Sequence, residues 1–429
     1  QPPDGIWPPC VEVEDRACDT TARLAALGYR QASASAVHLA AVHAGNRYQQ
    51  MPDLARSRFD ALVPRVVEAC AATPNPDEAL TRILDLLEAV SRRAAYLSLL
   101  LEYPDGLQKL AHLAGASLWA ANFLQHHPIL LDELLDVRIL EAAPDWPALS
   151  RQLEHALDEI EPDTERQMDL LRETHHAQLF RLLAQDLGGM LTLEKLADHL
   201  SALADVMLEL ALKFAWRKVS KRHCETPHFA IISYGKLGGK ELGYASDLDL
   251  VFIYDDPAPE APENYARLAT RLNTWLSSQT AAGLLFETDL RLRPNGDSGL
   301  IVCSLETFRK YQIESAWLWE HQALTRARFS AGDRTIGDAF EAIRNEILRQ
   351  PRDLENLKRE VVAMRQKMFD AHATKGAQAE VVFDLKHDCG GLVDVEFIVQ
   401  YLVLGHAHAH PELTGNLGNI ALLRIAGEL

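Results

Sequence analysis

"GKLGGKELGYASDLDLVFIYD", residues 235–255, places four glycines and a serine ahead of two aspartates one residue apart, all leading into an apolar run. Side chains two apart on a strand share a face, so Asp247 and Asp249 point together while Leu248, Leu250 and Phe252 enter the opposite layer. Two carboxylates held that close repel each other unless a cation lies between them. An oxygen-only set of this kind suits Mg²⁺, which keeps several waters and is completed by substrate phosphates.

The neighbouring sequence supplies partners. "LLFETDLRLRP" (284–294) alternates polar and apolar residues, which predicts a strand with Glu287, Asp289, Arg291 and Arg293 on one face. A third acid beside two guanidiniums is the set a metal-nucleotide site uses, because arginine grips phosphate oxygens bidentately. Gly235, Gly238, Gly239 and Gly243 form a loop whose backbone can approach phosphates without Cβ interference. No G-x-x-x-x-G-K-[ST] occurs, so the loop is not a P-loop. Taken singly, D-x-D is often a solvated strand end and exposed arginines often mark a sheet edge; their conjunction carries the site.

Outward from this centre the period changes. "HFAIISY" (228–234) reads as a strand before the glycine loop, and "PENYARLATRLNTWLSSQ" (262–279) as a helix between the two acid-bearing strands. From about Arg30 to Val219 the spacing is helical. Leu80, Ile83, Leu84 and Leu87 fall at i, i+3, i+4 and i+7, behind Asn75 as N-cap, Pro76 at N1 and Glu78 at N3. A long helix from Leu193 carries Leu196, Leu200, Leu203, Met207, Leu210 and Phe214 on one stripe. Breaks fall at Tyr103-Pro104-Asp105-Gly106 and Ala143-Pro144. Helix returns after about Tyr311, with Leu357, Val361, Met364 and Met368 in register, and a polar break interrupts it at "DLKHDCGGLVDVEF" (384–397). The expected fold is α+β and mainly helical: a helical region over 1–190, an α/β catalytic domain over 191–330, and a helical bundle over 331–429 that reads as truncated. The whole chain, opening at Gln1 and stopping inside an amphipathic run, reads as a fragment.

Composition narrows the function classes. Lys plus Arg total 43 against 61 Asp plus Glu, a net charge of −18, the wrong sign for a nucleic-acid binder. No apolar stretch approaches the ~20 residues of a membrane span, which predicts a soluble, cytoplasmic protein. Six cysteines without C-x-x-C spacing predict buried free thiols. His406, His408 and His410 in "GHAHAH" suggest metal binding, but a helix turns them apart and no acid or thiol sits among them; an exposed turn is expected. The pairs His126-His127 and His175-His176 read as surface or internally satisfied positions. Trp317, Trp319, His321 and Arg328 in "AWLWEHQALTRAR" (316–328) read as helix packing with a charged rim, or with an arginine reaching the site.

The pattern at 235–250 resembles the nucleotidyltransferase superfamily of DNA polymerase β. Gly235-Lys236 stands at its G-[G/S] turn, ten residues follow, then Asp247-Leu248-Asp249-Leu250, with Asp289 as the later acid. Lys236 replaces the usual Gly or Ser. "GYASDLDLVFIYD", "ETDLRLRPNGDSGL", "AWLWEHQALTRAR" and "DLKHDCGGLVDVEFIVQYLVL" resemble the C-terminal, adenylylating half of bacterial glutamine synthetase adenylyltransferases; Cys389 stands where that family's motif has proline. The family joins two such domains, the N-terminal one removing AMP by phosphorolysis, and only one D-x-D set occurs here.

The resemblance implies transfer of AMP from ATP to a tyrosine of glutamine synthetase, with pyrophosphate released. It implies two Mg²⁺ ions on Asp247, Asp249 and Asp289, with Asp289 also placed as general base. Gly235, Lys236, Gly238, Gly239, Ser246, Arg291 and Arg293 are the implied nucleotide contacts. Arg328, Lys386, Asp394 and Glu396 belong to the implied motifs with either a structural or a nucleotide-facing role. Partners implied are glutamine synthetase as substrate, with the PII signal protein and glutamine as regulators. Phosphorolytic removal of AMP, nucleotidyl transfer to RNA or PII, and a non-catalytic regulatory scaffold stand as alternatives; intact acids at all three positions oppose the scaffold, and the net charge opposes RNA.

Overall fold

The computed structural model describes residues 6–9, 19–134, 140 and 142–429. The chain divides into two compact units, Gln1–Ala143 with His176–Thr192, and Pro144–His175 with Leu193–Leu429.

The first unit is built of helices. Pro76–Ala89 begins where the N-terminal signals place it, and Leu80, Ile83, Leu84 and Leu87 are buried. Asn75 precedes it, yet its amide reaches the Gly115 carbonyl (3.3 Å) instead of capping the helix. Leu62, Val63, Val66 and Val67 of Asp53–Ala71 and Leu107 and Leu110 of Pro104–Ala116 are likewise buried. Asp77 fixes the entry to the Ala32–Ala44 helix, accepting from the Arg30 amide (2.8 Å), the Gln31 amide (3.1 Å) and the Ser35 hydroxyl (2.9 Å). The His127 and His176 rings pack against each other, 4.0 Å between centroids and tilted by 43°.

The second unit holds a five-stranded sheet: β1 Phe229–Ser233, β2 Leu248–Tyr254, β3 Thr288–Asp289, β4 Val302–Ser304 and β5 Arg328–Gly332. The order is β3-β2-β1-β5, with β4 also pairing β2. β1 runs antiparallel to β2 and β5, whereas β2 is parallel to β3 and β4. One sheet face packs Phe229 and Phe252 (centroids 5.6 Å apart) toward Tyr265 of the Ala261–Ser277 helix and Trp216 of the Leu193–Arg217 helix. On the other face Ala230, Ile232, Val251 and Ile253 share one apolar core with Phe340, Leu357, Val361, Val403 and Leu404 from the helices Arg334–Leu348, Leu354–His372 and Leu392–His406. The predicted stripe from Leu196 to Phe214 is buried throughout.

Three sequence expectations need correction. The strand expected over 284–294 pairs only at Thr288–Asp289; the chain then turns through 291–298, stitched by Arg293. The segment read as helix through Arg328 ends at Leu324, and Arg328 opens β5, an edge strand whose "RFSAG" holds no β-branched residue to announce it. Trp317 and Trp319 do not pack inward: Trp317 is 70% exposed. Of the cysteines, Cys70 is buried, Cys224 and Cys303 are half-buried and Cys389 is exposed; Cys10 and Cys18 lie outside the described residues. His406, His408 and His410 close the Leu392–His406 helix and the turn after it, without gathering on one point. No helix among the described residues is long and apolar enough to cross a membrane.

Candidate active site

Parallel pairing of β2 with β3 sets Leu248 opposite Thr288 and Asp249 opposite Asp289. Register partners in a parallel pair point the same way, and Asp247 lies one strand period before Asp249, so the three carboxylates share one face. Asp247 is exposed; Asp249 and Asp289 are half-buried. Burial first, then the charges of Asp247 and Asp289, push the Asp249 carboxyl up to about 6, against the pull of Lys386 and Arg291. Asp289 moves the opposite way, held below the usual carboxylate range mainly by its hydrogen bonds from Arg291. That guanidinium lies across the carboxylate, Nε at 3.0 and 2.9 Å from its two oxygens, and the Arg291 amide donates to it as well (2.8 Å).

The glycine loop is tighter than expected. Gly235–Gly238 forms one helical turn, anchored where the Tyr234 amide meets the Asp249 carbonyl (2.9 Å). Gly235 has φ +54°, and a Cβ there would stand 2.0 Å from Asp249 Oδ2. The backbone therefore lies directly against the acid. Gly238 and Gly239 are required for another contact: a Cβ on Gly238 would meet the Arg326 carbonyl at 1.9 Å, and one on Gly239 the Arg326 guanidinium at 2.7 Å. Their amides are already spent, on the Tyr234 carbonyl (2.8 Å) and the Gly235 carbonyl (3.0 Å), which removes them as phosphate donors. Lys236 is exposed on this turn. Ser246 closes the next one, its hydroxyl accepting the Gly243 amide (3.0 Å) just ahead of Asp247.

The arginines part company. Arg291 stays with the acids, while Arg293 donates to the Leu290 carbonyl (2.6 Å) and the Gly299 carbonyl (3.4 Å), holding the turn after β3 with its charge still felt at Asp289. Arg328 is buried and grips Asp205 with two 2.9 Å bonds, with Nε on the Leu237 carbonyl (3.2 Å); it supports the glycine turn from behind. Sequence reasoning missed Arg326 and Glu241. Arg326, buried, joins Glu241 of the glycine loop to Glu396 (2.7 Å), and Glu241 also receives the Asn419 side-chain amide (2.9 Å). No local pattern marks an ion pair between residues 85 apart.

The break at 384–391 is a self-capped loop. Asp384 accepts the Lys386 amide (2.7 Å) and the His387 amide (3.1 Å); Asp388 accepts the Thr374 and Asp384 amides; Asp394 pairs with Arg365. Asp394 and Glu396 thus hold structure together, while Lys386 from the same loop comes within electrostatic reach of Asp249.

A family model described as glutamate-ammonia ligase adenylyltransferase matches residues 107–343. The chain belongs to this family. Members similar to it include bifunctional glutamine synthetase adenylyltransferase/adenylyl-removing enzymes of Aromatoleum aromaticum (71% identical over 381 residues, 89% of this chain and 40% of the relative) and Chromobacterium violaceum (56% over 423 residues, 99% and 46%). A third, from Nitrosomonas europaea, is 53% identical over 411 residues, 95% of this chain and 44% of the relative. The chain spans less than half the length of these adenylyltransferase relatives.

Proposed function

We propose that this chain transfers AMP from ATP to a tyrosine of glutamine synthetase, releasing pyrophosphate. The observation that carries the reading is the triplet Asp247, Asp249 and Asp289 on one sheet face, in a chain akin to enzymes named for adenylylating glutamine synthetase. The donor set suits Mg²⁺ in kind, since all ligands are carboxylates and Asp249 is raised to about 6 by burial and by its fellow acids, a repulsion that a cation relieves; with Arg291 on Asp289 the three carboxylates do not all come within 4.8 Å of one another, and an ion would draw them together. Asp247 and Asp249 would hold two ions and Asp289 would complete one of them. Bound there, Mg²⁺ supplies charge to acidify the attacking phenol and to balance the departing pyrophosphate.

The chain's own residues do the rest. Asp289 would accept the phenolic proton once Arg291, which covers both of its oxygens, moves from it to the phosphates. Gly235 brings backbone against the acids without a side chain in the way, and Lys236, Ser246 and Arg291 remain as phosphate contacts. Lys386 adds a cation within electrostatic reach of Asp249. Glutamine synthetase would dock on helical surface, with PII and glutamine acting through the helices in a cytoplasmic setting.

The test is label transfer from α-³²P-ATP to unmodified glutamine synthetase with Mg²⁺, comparing the chain with Asp247→Asn. Label on tyrosine that the variant loses supports the reading; no transfer despite ATP binding removes it. A second reading, AMP removal by phosphorolysis, is favoured by the bifunctional name of the relatives. Incubating adenylylated glutamine synthetase with phosphate and following release of ADP separates the two.

A further inference from the structure

At the far end of β1 and β2 from the acids, the segment following the Leu193–Arg217 helix meets the loop after β2. Asp256 lies seven residues beyond Asp249 along the chain, about 20 Å at strand rise. His223, Cys224 and Asp256 converge here, with one ligand atom from each within 4.8 Å of the others, the one such His/Cys/acid triplet among the described residues. The His223 and Asp256 side chains are 10% and 6% exposed. His223 Nε2 lies 2.8 Å from Asp256 Oδ2 and 3.7 Å from Cys224 Sγ.

We propose that His223, Cys224 and Asp256 form a zinc site, with water in the fourth position. Both the thiol and the carboxylate address the same ring nitrogen. A nucleophilic triad would place them on opposite nitrogens of the imidazole, whereas a metal requires all donors to face one point. Tetrahedral Zn²⁺ with N, O and S ligands spaces its donors about 3.3–3.8 Å apart. The sulfur-to-nitrogen separation already fits, and the Nε2 to Oδ2 pair opens by about half an ångström when a metal replaces the shared proton.

The surrounding contacts are those that orient metal ligands. Tyr265 donates to Asp256 Oδ2 (2.7 Å) and is itself fixed by the His228 amide (3.0 Å). Asn264 Nδ2 sits 2.9 Å from His223 Nδ1 and donates a long bond to the Lys221 carbonyl (3.4 Å); a half-turn of its amide gives up that bond and presents the oxygen to an Nδ1–H. Binding moves the imidazole proton to Nδ1 and releases the thiol proton, so one proton leaves per ion. The ion would tie the exit of the Leu193–Arg217 helix to the β2 exit, bracing the sheet that presents the acids. It is separate from the Mg²⁺ chemistry, because only here does a thiolate take part.

The test is titration of the chelator-treated chain with Co²⁺, followed by Zn²⁺. The expected result is one equivalent of Co²⁺ giving a thiolate-to-cobalt charge-transfer band, which Zn²⁺ displaces. The band disappears in Cys224→Ser and persists in Cys389→Ser and in Asp247→Asn. Saturation of the unaltered chain without such a band overturns the proposal whatever the variants do, as does a band that survives Cys224→Ser.

Discussion

Asp249 and Asp289 stand side by side as register partners of β2 and β3, yet their carboxyls are driven in opposite directions, Asp249 up to about 6 and Asp289 below its usual range. Burial of the one and an arginine on the other account for the difference. Arg291 covers Asp289 with Nε and a terminal nitrogen, while its weaker pull on Asp249 is outweighed by burial and by the charges of Asp247 and Asp289.

The raised Asp249 fixes how the metal-free chain responds to pH. Between its ordinary 3.8 and about 6 the folded state binds more protons than the unfolded one, so this group costs stability as pH rises through that window, and the full cost persists above it. The rise from 3.8 to about 6 corresponds to about 3 kcal/mol, an upper bound for a half-buried group, and on the order of 1–2 kcal/mol is expected after screening. Asp249→Asn should therefore raise the metal-free melting temperature at pH 7 and leave it nearly unchanged at pH 4, while transfer activity falls about 10²-fold or more. Thermal melts at both pH values, with and without Mg²⁺, measure this. An unchanged melting temperature at pH 7 would remove the repulsion argument.

Arg291→Ala separates the two duties of that side chain. Without the guanidinium, Asp289 is open to a cation and the local charge is more negative, so Mg²⁺ or Mn²⁺ should bind several-fold more tightly in calorimetric titration. ATP should bind more weakly, because a bidentate phosphate partner is gone. If metal affinity drops with ATP affinity, Arg291 is supporting the acid geometry rather than competing for it.

Much of this site is legible in the sequence because it is local. Asp247 and Asp249 announce their shared face through a two-residue period, and the Pro76 and Leu193 helices announce themselves through the proline of the first turn and the apolar stripe. What sequence reasoning misses depends on distance in the chain. Gly238 and Gly239 serve the Arg326 backbone and guanidinium instead of a phosphate, and Arg326 joins Glu241 to Glu396 across the fold. Alternation in "LRLRP" predicts strand, but Arg293 bonds its own turn, and a side chain that caps local carbonyls ends pairing that periodicity alone would continue.

Gly235→Ala tests the close approach at the turn. A methyl group would lie 2.0 Å from Asp249 Oδ2, and the φ of +54° adds about 1–2 kcal/mol of backbone strain for an L side chain. The carboxylate is the softer partner and should swing away. The expected outcome is an intact far-UV circular dichroism spectrum, a small loss of melting temperature, and metal binding weakened at least as much as in Asp289→Asn. Normal metal affinity would show that Asp249 can move without cost to the site.

Lys386 is the residue by which the loop at 384–391 reaches the site, since its charge pulls the Asp249 carboxyl down while the rest of the loop is occupied with its own caps. Lys386→Met keeps the length of the stem and removes the charge. The Asp249 carboxyl then rises further above about 6, and a protonated carboxyl cannot hold a cation. At Mg²⁺ well below saturation, the acidic limb of the transfer rate should therefore shift to higher pH, and excess Mg²⁺ should pull it back by competing with the proton. The same variant should leave the melting temperature nearly unchanged at pH 4, where Asp249 is mostly protonated in both proteins. A limb that stays in place, with ATP affinity lowered instead, would assign Lys386 to the nucleotide and not to the acid.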